Sequence, residues 1–150
     1  MQSRIIPDIV KDQTICALPQ FSTVHEAARQ MAECDVAAVV VTGDDGRMVG
    51  IMTERDITRR VVGQGRDPRT TSLSDVMTRD PDTLSPDDRA SEALEVMQRR
   101  GFRHLPVIDD DNIVVGMVSI RDLYASVQRS LEDDLHETEA FVFGERYGTA

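Results

Sequence analysis

The sequence predicts a mixed α/β (α+β) fold, in which two β-α-β-β-α units pack about a pseudo-twofold axis and a C-terminal helical tail follows. Two observations support this prediction. The stretch GIMTERDITRR, which begins at Gly50, is matched in pattern by GMVSIRDLYAS, which begins at Gly116. Apolar residues also change between strand and helical spacing in the same order in both halves of the chain.

The second half of the chain repeats the first at an offset of 66 residues, the difference between positions 50 and 116. Without gaps, this offset pairs Val10 with Val76, Leu18 with Leu84, Glu26 with Glu92, Met31 with Met97, Val41 with Val107, Arg55 with Arg121 and Asp56 with Asp122. A match of this length indicates an internal duplication. We assign residues 7–64 to the first repeat, 65–72 to a linker rich in Gly, Pro and small polar residues, 73–128 to the second repeat and 129–150 to the tail.

Both repeats contain the same predicted elements. A short strand, ICAL or DTL, leads to a helix that starts near Thr23 in the first repeat and near Pro86 in the second. Two strands follow, joined by GDDG or DDDN, and a second helix starts at Glu54 or Ile120. Since one repeat has too little apolar surface to stand alone, we expect the two copies to pack together and leave two related clefts.

The tail carries an apolar stripe of its own. Leu123, Val127, Leu131 and Leu135 are spaced by four, and FVF at 141–143 follows a run of acidic residues. This pattern predicts one extended helix. Its stripe is covered either by the same domain or by a second subunit, and the sequence leaves both alternatives open.

Composition limits the class of protein. Apolar residues make up 40% and charged residues 29% of the 150 residues, as in globular domains. Aromatic residues make up only 4%, so we expect an aliphatic core in which Met31, Met77 and Met97 fill space. The net charge of -10 disfavours a broad grip on nucleic acid or an anionic membrane. With no signal-peptide core and no apolar run of membrane-spanning length, we predict a cytoplasmic protein.

Catalytic and metal-binding patterns are not found in the sequence. Cys16 and Cys34 form no CxxC pair and no cluster with histidines, so we predict reduced thiols and no metal site. There is no P-loop, GxGxxG motif or Ser/His/Asp set. We therefore predict that the chain is not an enzyme, and His104 is the only plausible general base in the sequence.

Each repeat ends with a hydroxyl-x-x-aspartate motif at a strand end and helix start: Thr53 with Asp56, and Ser119 with Asp122. A capping box explains this spacing without any ligand. The alternative is a ribose-phosphate site. The aspartate would accept from ribose hydroxyls, while the adjacent Arg55 or Arg121 and the helix N-terminus would hold a phosphate.

With DVMTRDPDTLSPDD before it and GIMTERDI or GMVSIRDL at its end, the duplicated unit resembles the CBS-domain family. Two copies form a CBS pair, or Bateman module, and the resemblance covers roughly residues 7–127. It implies a ligand among AMP, ADP and ATP, less commonly NAD or S-adenosylmethionine. It also implies a homodimer of CBS pairs that regulates an effector protein, without binding a membrane; nucleic acid is disfavoured by the acidic surface.

The resemblance also implies which residues bind the ligand. Asp56 and Asp122 match ribose-binding aspartates, and Thr53 and Ser119 match the neighbouring hydroxyl. Because the copies of such pairs exchange edges, the Asp122 site would use residues 11–16 and 36–38, and the Asp56 site residues 77–82 and 102–104. The predicted ligand-binding residues are Thr53, Arg55, Asp56, Ser119, Arg121, Asp122, Arg103, His104, Lys11, Thr14, Cys16, Ala37, Met77, Asp80, Asp82 and Phe102.

The repeats differ where the family often has phosphate-binding basic residues. The second repeat has Arg103 and His104 there, and the first has Ala37 and Ala38. We therefore expect lopsided phosphate binding, and the sequence leaves open which site gains. The predicted function is an adenine-nucleotide-binding regulatory module, an energy or nucleotide sensor that signals to a partner protein. The alternative is a scaffold of the same fold that binds no nucleotide and acts through dimerisation and protein contacts.

Overall fold

The predicted order of strands and helices is present in the computed structural model, which describes residues 3–10 and 13–147, with the backbone alone for residues 7 and 140–147. An N-terminal turn, Ile5–Ile9, is closed by the Val10 N–H, which donates to the Ile5 carbonyl. The first repeat then contains β1 (Ala17–Pro19), α1 (Val24–Cys34), β2 (Ala38–Thr42), β3 (Met48–Thr53) and α2 (Glu54–Asp56), which continues as a π turn (Ile57–Val61) and a 3₁₀ turn (Val62–Gln64).

The second repeat follows the same plan, except that its first predicted strand is reduced to a bridge and that a short helix and a short strand come before it. It contains α3 (Leu73–Val76), β4 (Thr78–Arg79), α4 (Ala90–Arg100), β5 (His104–Ile108), β6 (Val114–Ser119) and α5 (Ile120–Tyr147). The strand predicted at DTL is reduced to one parallel bridge between Leu84 and Val107. The mixed fold with a C-terminal helix is confirmed.

The predicted start of the second repeat's first helix near Pro86 is wrong, because α4 begins at Ala90. Residues 85–88 form a turn, in which the Ser85 N–H donates to the Asp88 carboxylate at 2.8 Å. The carbonyls of Pro86 and Asp88 accept from the N–H groups of Ile6 and Ile5, at 3.0 and 2.9 Å. Tertiary contacts with the N-terminal turn therefore delay the helix until Ala90.

The repeats exchange segments at the edges of their sheets. One sheet has the order β1-β2-β3-β4, in which β1 is parallel to β2 and the other pairs are antiparallel. Its β4 precedes the second repeat's own sheet, the hairpin β5-β6. The segment before the first helix-forming part of each repeat thus lies beside the last strand of the other repeat: β4 beside β3, and the N-terminal segment beside β6.

Two glycines make room for these crossings. A Cβ atom at Gly50 would lie 2.6 Å from the Thr78 carbonyl oxygen, and one at Gly116 would lie 2.8 Å from Cγ1 of Val10. Both glycines begin the repeated motif that marks the duplication. They occupy these positions because a side chain would collide with the segment of the other repeat.

The exchange also mixes the two hydrophobic cores. The core around α1 and β2 takes in Leu73, Val76 and Met77 from the start of the second repeat. The core around α4 and β5 takes in Ile5 and Val10 from the N-terminal segment. Buried positions in these cores include the three methionines predicted to fill space, at 31, 77 and 97. Neither repeat is therefore packed without the other's leading segment.

The last helix, α5, runs for 28 residues without a break at the predicted boundary between residues 128 and 129. Leu123 is fully buried, whereas Leu131 and Leu135 are 64% and 59% exposed. The side chains of the FVF segment at 141–143 lie outside the described residues. Among the residues that the structure describes, no helix combines the length and the apolar character needed to cross a bilayer.

Candidate functional site

Two clefts lie where the last strand of each repeat ends and the following helix begins. The Asp56 cleft, beside the start of α2, has a volume of about 300 Å³. The Asp122 cleft, beside the start of α5, has a volume of about 1030 Å³. Volumes in this range are typical of small-molecule sites. The related halves of the chain therefore enclose two spaces of unequal size.

The motif at the Asp56 cleft forms a complete capping box. The Asp56 N–H donates to the Thr53 hydroxyl at 3.1 Å, and the Thr53 N–H donates to Oδ2 of Asp56 at 3.0 Å. The second carboxylate oxygen, Oδ1, lies 3.5 Å from the Thr78 hydroxyl and 3.6 Å from Nε of Arg60. Asp56 is only 8% exposed. Both of its oxygens thus already have partners within the protein.

The motif at the Asp122 cleft has the same cap but a freer carboxylate. The Asp122 N–H donates to the Ser119 hydroxyl at 3.2 Å, and the Ser119 N–H donates to Oδ2 of Asp122 at 3.1 Å. Asp122 is exposed. Within the described part of the chain, its Oδ1 accepts no hydrogen bond and joins no ion pair. A ligand hydroxyl can reach this oxygen while the cap stays intact.

The Asp56 cleft brings together half of the predicted ligand-binding residues. They are Ala37, Thr53, Arg55, Asp56, Asp82, Phe102, Arg103 and His104. Arg100 holds two of them in place, because its Nε lies 3.1 Å from the Asp82 carboxylate and its guanidinium lies 5.8 Å from the Phe102 ring centre. The edge exchange thus places residues from both repeats around one space.

Met77 and Asp80 do not line either cleft. Met77 is buried in the core of the first repeat. Asp80 follows β4 with a positive φ of 43°. Their neighbours Thr78 and Pro81 line the Asp56 cleft instead, and the left-handed backbone at Asp80 interrupts the strand alternation after β4.

The Asp122 cleft takes in most of the other predicted residues. They are Thr14, Cys16, Ser119, Arg121 and Asp122, and the cleft shares Ala37, Arg103 and His104 with the Asp56 cleft. Lys11, which was predicted for the same site, lies outside the described residues. Met31 and residues 36–38 also line this cleft, as does Cys16. Burial, together with contact with the Cys34 thiol, raises the pKa of Cys16 to about 11.

Several lining residues were missed in the sequence. Arg59 and Arg60 line the Asp56 cleft, and Glu54 lines both clefts. The i, i+4 spacing of Asp56 and Arg60 was a usable signal for an ion pair on α2. Arg60 also donates to the carbonyls of Val76 and Met77, at 3.2 and 3.0 Å, and the sequence alone gives no sign of these tertiary contacts.

A shared wall separates the two clefts. It consists of the residues that line both of them: Ala37, Glu54, Arg103 and His104. Burial is the largest effect on the pKa of His104 and lowers it. The carboxylates of Asp122 and Glu54 act in the opposite direction, and the positive charge of Arg103 adds to the lowering. His104 is therefore neutral near pH 7, where it can donate or accept a hydrogen bond.

The charges of the clefts differ. Among the lining residues that the structure describes, the Asp56 cleft has four arginines against three carboxylates, whereas the Asp122 cleft has two arginines against three carboxylates. The difference comes from Arg59 and Arg60, whose counterparts at the same offset are Ala125 and Ser126. Arg103 and His104 belong to both clefts, so the extra cationic character of the Asp56 cleft comes from its own helix.

Comparisons with known proteins match both halves of the chain. The CBS domain family matches residues 6–63 and again residues 73–129. The mitochondrial CBS domain-containing protein CBSX3 of Arabidopsis thaliana is 34% identical over 126 residues, which cover 81% of this chain and 61% of that protein. The chain thus spans less than two thirds of that relative's length.

Solved structures of similar size share the fold. A CBS-domain protein from Burkholderia ambifaria MC40-6 has a TM-score of 0.76 at 33% identity, covering 81% of this chain and 92% of that chain. A CBS domain protein from Pyrobaculum aerophilum, solved in complex with AMP, has a TM-score of 0.68 at 32% identity, covering 74% and 84%. With its two tandem matches and these relatives, the chain belongs to the CBS-domain family.

Proposed function

We propose that this chain is a regulatory module that binds an adenine nucleotide between its two repeats. The observation that carries the proposal is the Asp122 motif. Its cap is complete, Asp122 lines a large cleft, and one of its carboxylate oxygens has no partner in the described chain. CBS pairs generally bind adenine nucleotides, and the relative from Pyrobaculum aerophilum was solved with AMP.

Each part of an adenine nucleotide has a matching region in the Asp122 cleft. The ribose hydroxyls would donate to Oδ1 of Asp122. Phosphate oxygens would lie near Arg121, Arg103 and the N-terminal N–H groups of α5, where cations and the helix dipole favour an anion. The base would occupy the less polar side, between residues 14–16 and residues 36–38.

The Asp56 cleft is the second proposed site. It is smaller, and a ribose there would displace the long contacts of Asp56 with Thr78 and Arg60. Its four arginines favour phosphate groups more strongly than the Asp122 cleft does. We propose AMP, ADP or ATP as the ligand class, with NAD and S-adenosylmethionine as the other adenosine compounds to be tested.

The proposed output is a change in a dimer of CBS pairs that an effector protein detects. Exposed apolar side chains on the helices that end each repeat support an interface there: Val62, Tyr124, Leu131 and Leu135. A ligand can shift such a switch only by binding one state more tightly than the other. We propose this regulatory role, without catalysis, in the cytoplasm.

A scaffold that binds no nucleotide is the second candidate. One observation favours it: the capping boxes at both motifs are fully formed, so local helix stability alone accounts for the hydroxyls and aspartates. The scaffold would act through its dimer interface alone.

A thermal-shift series separates the two candidates. The purified chain is heated with AMP, ADP, ATP, NAD or S-adenosylmethionine, and GMP and inorganic phosphate serve as controls for the base and for charge. A ligand at 100 times its dissociation constant adds about 2.7 kcal/mol of stability, or roughly 5–10 °C for a domain of this size. We expect such a shift with at least one adenosine compound and not with inorganic phosphate. No shift with any adenosine compound would favour the scaffold.

A further inference from the structure

The shared wall contains a single arginine, Arg103, among the described residues that line both clefts. Arg103 is exposed and follows Gly101 and Phe102 in the turn before β5. Arg103 therefore lies at the boundary of both clefts. A guanidinium presents its fork to one phosphate at a time when it binds with two parallel hydrogen bonds.

The two clefts depend on Arg103 to different degrees. The Asp56 cleft has three further arginines, Arg55, Arg59 and Arg60. Among the described residues, the Asp122 cleft is lined by Arg121 besides Arg103, together with the carboxylates of Asp35, Glu54 and Asp122. If Arg103 turns toward the Asp56 cleft, the other cleft keeps one arginine against three carboxylates. A phosphate is then held poorly there.

We propose that Arg103 serves one cleft at a time, so that a phosphate-bearing ligand in one cleft weakens the binding of a second in the other. This inference rests on the proposed nucleotide-binding function and adds a rule of occupancy to it. Glu54 strengthens the effect, because it also lines both clefts and opposes a phosphate that Arg103 has left. A ligand without a phosphate does not need Arg103, so its binding in one cleft should not weaken the binding of a second ligand in the other.

Calorimetric titration with AMP and with adenosine tests this rule on the full chain. The affinity of each cleft is measured in the parent protein and again with the other cleft disabled by Asp56→Asn or Asp122→Asn. We expect the weaker AMP site of the parent to tighten roughly 5- to 150-fold once the other cleft is disabled, the usual range of coupling between sites. Adenosine should show no such change.

The Arg103→Ala variant is the decisive comparison. It should weaken AMP binding in the Asp122 cleft more than in the Asp56 cleft, and it should abolish the dependence of one cleft on the other. Arg47→Ala, an exposed arginine in the turn between β2 and β3, is the matched control and should behave as the parent. Thermal unfolding of each variant verifies that it is folded.

The possible outcomes distinguish a failure of the coupling between the clefts from a failure of the proposed nucleotide-binding function. If AMP binds to both clefts and the affinity of each cleft does not change when the other cleft is disabled, the coupling is overturned. The proposed function then still stands. If AMP binds in the same single cleft in the parent and in every variant that can bind, the coupling would also be overturned. Failure of the parent to bind any adenosine compound would overturn both proposals.

Discussion

The side chain of Gln13 pairs with the backbone of Met117 as a strand would. Its Nε2 donates to the Met117 carbonyl at 3.2 Å, and its Oε1 accepts from the Met117 N–H at 2.7 Å. At the matching place in the other repeat, β4 pairs with β3 through backbone hydrogen bonds. A side-chain amide thus replaces an edge strand beside the Asp122 cleft.

Gln13→Ala should therefore loosen the edge of β6. We expect a loss of about 1 kcal/mol in the free energy of unfolding, since exposed hydrogen bonds contribute modestly. The Met117 amide should exchange with solvent faster, as measured by NMR hydrogen exchange. Gln13→Glu, which keeps an acceptor and loses the donor, is the matched control and should retain most of the protection. Unchanged exchange in Gln13→Ala would contradict the pairing.

Alanine at the two crossing glycines should destabilise the protein unequally. At Gly50 the new Cβ meets a backbone oxygen of Thr78, which cannot move alone, so we expect a loss of about 1–3 kcal/mol. At Gly116 one of the three nearest atoms, Cγ1 of Val10, would lie within 3.0 Å of the new Cβ, compared with two at Gly50, so the loss should be smaller. Urea unfolding of both variants measures the difference. Equal losses in the free energy of unfolding would contradict the different contacts described for the two glycines.

Lowering the pH should destabilise the folded chain through His104. Burial holds its folded-state pKa below the ordinary value of 6.5, so the unfolded chain binds the proton more readily as the pH falls past 6.5. Stability is therefore lost from about pH 6.5 downward. We expect the free energy of unfolding to fall more between pH 7.5 and 5.5 in the parent than in His104→Ala. Identical falls would mean that His104 is not responsible.

Alkylation should distinguish the two cysteines. Because burial and contact with Cys34 raise the pKa of Cys16 to about 11, roughly one Cys16 thiol in a thousand is ionised at pH 8. Cys34 is exposed. We expect iodoacetamide to modify Cys34 first, as followed by mass spectrometry. Cys16 should react slowly even in Cys34→Ser, because burial is the larger cause. Faster reaction of Cys16 than of Cys34 in the parent would contradict this environment.

The sequence was a good guide to the fold where the signals are local or duplicated. The periodic strands and helices, the caps at Thr53 and Ser119, and the buried methionines follow from spacing and from the repeat. The start of α4 was missed, because its preceding carbonyls are used by the distant N-terminal turn. Local propensity contains no information about such tertiary hydrogen bonds.

The clefts were less predictable than the fold. The segments around them follow from the edge exchange that the family resemblance implied, and the structure places most of the named residues there. Their unequal size was not apparent, and their unequal charge was missed because it arises from Arg59 and Arg60 in the turn after α2, where Arg60 makes tertiary contacts. The sequence left open which site gains Arg103 and His104, and in the structure both clefts share them.

The most direct test of the nucleotide-binding account compares AMP binding by the parent and by Asp122→Asn in a calorimetric titration. The amide oxygen of asparagine can still accept from the Ser119 N–H, and only the favourable charge at the helix N-terminus is lost, so the stability of the variant should stay within about 1 kcal/mol of the parent. Loss of the charged acceptor should nevertheless weaken AMP binding at this site roughly tenfold or more. Equal AMP affinity in the two proteins would show that Asp122 is a helix cap and not the ribose contact.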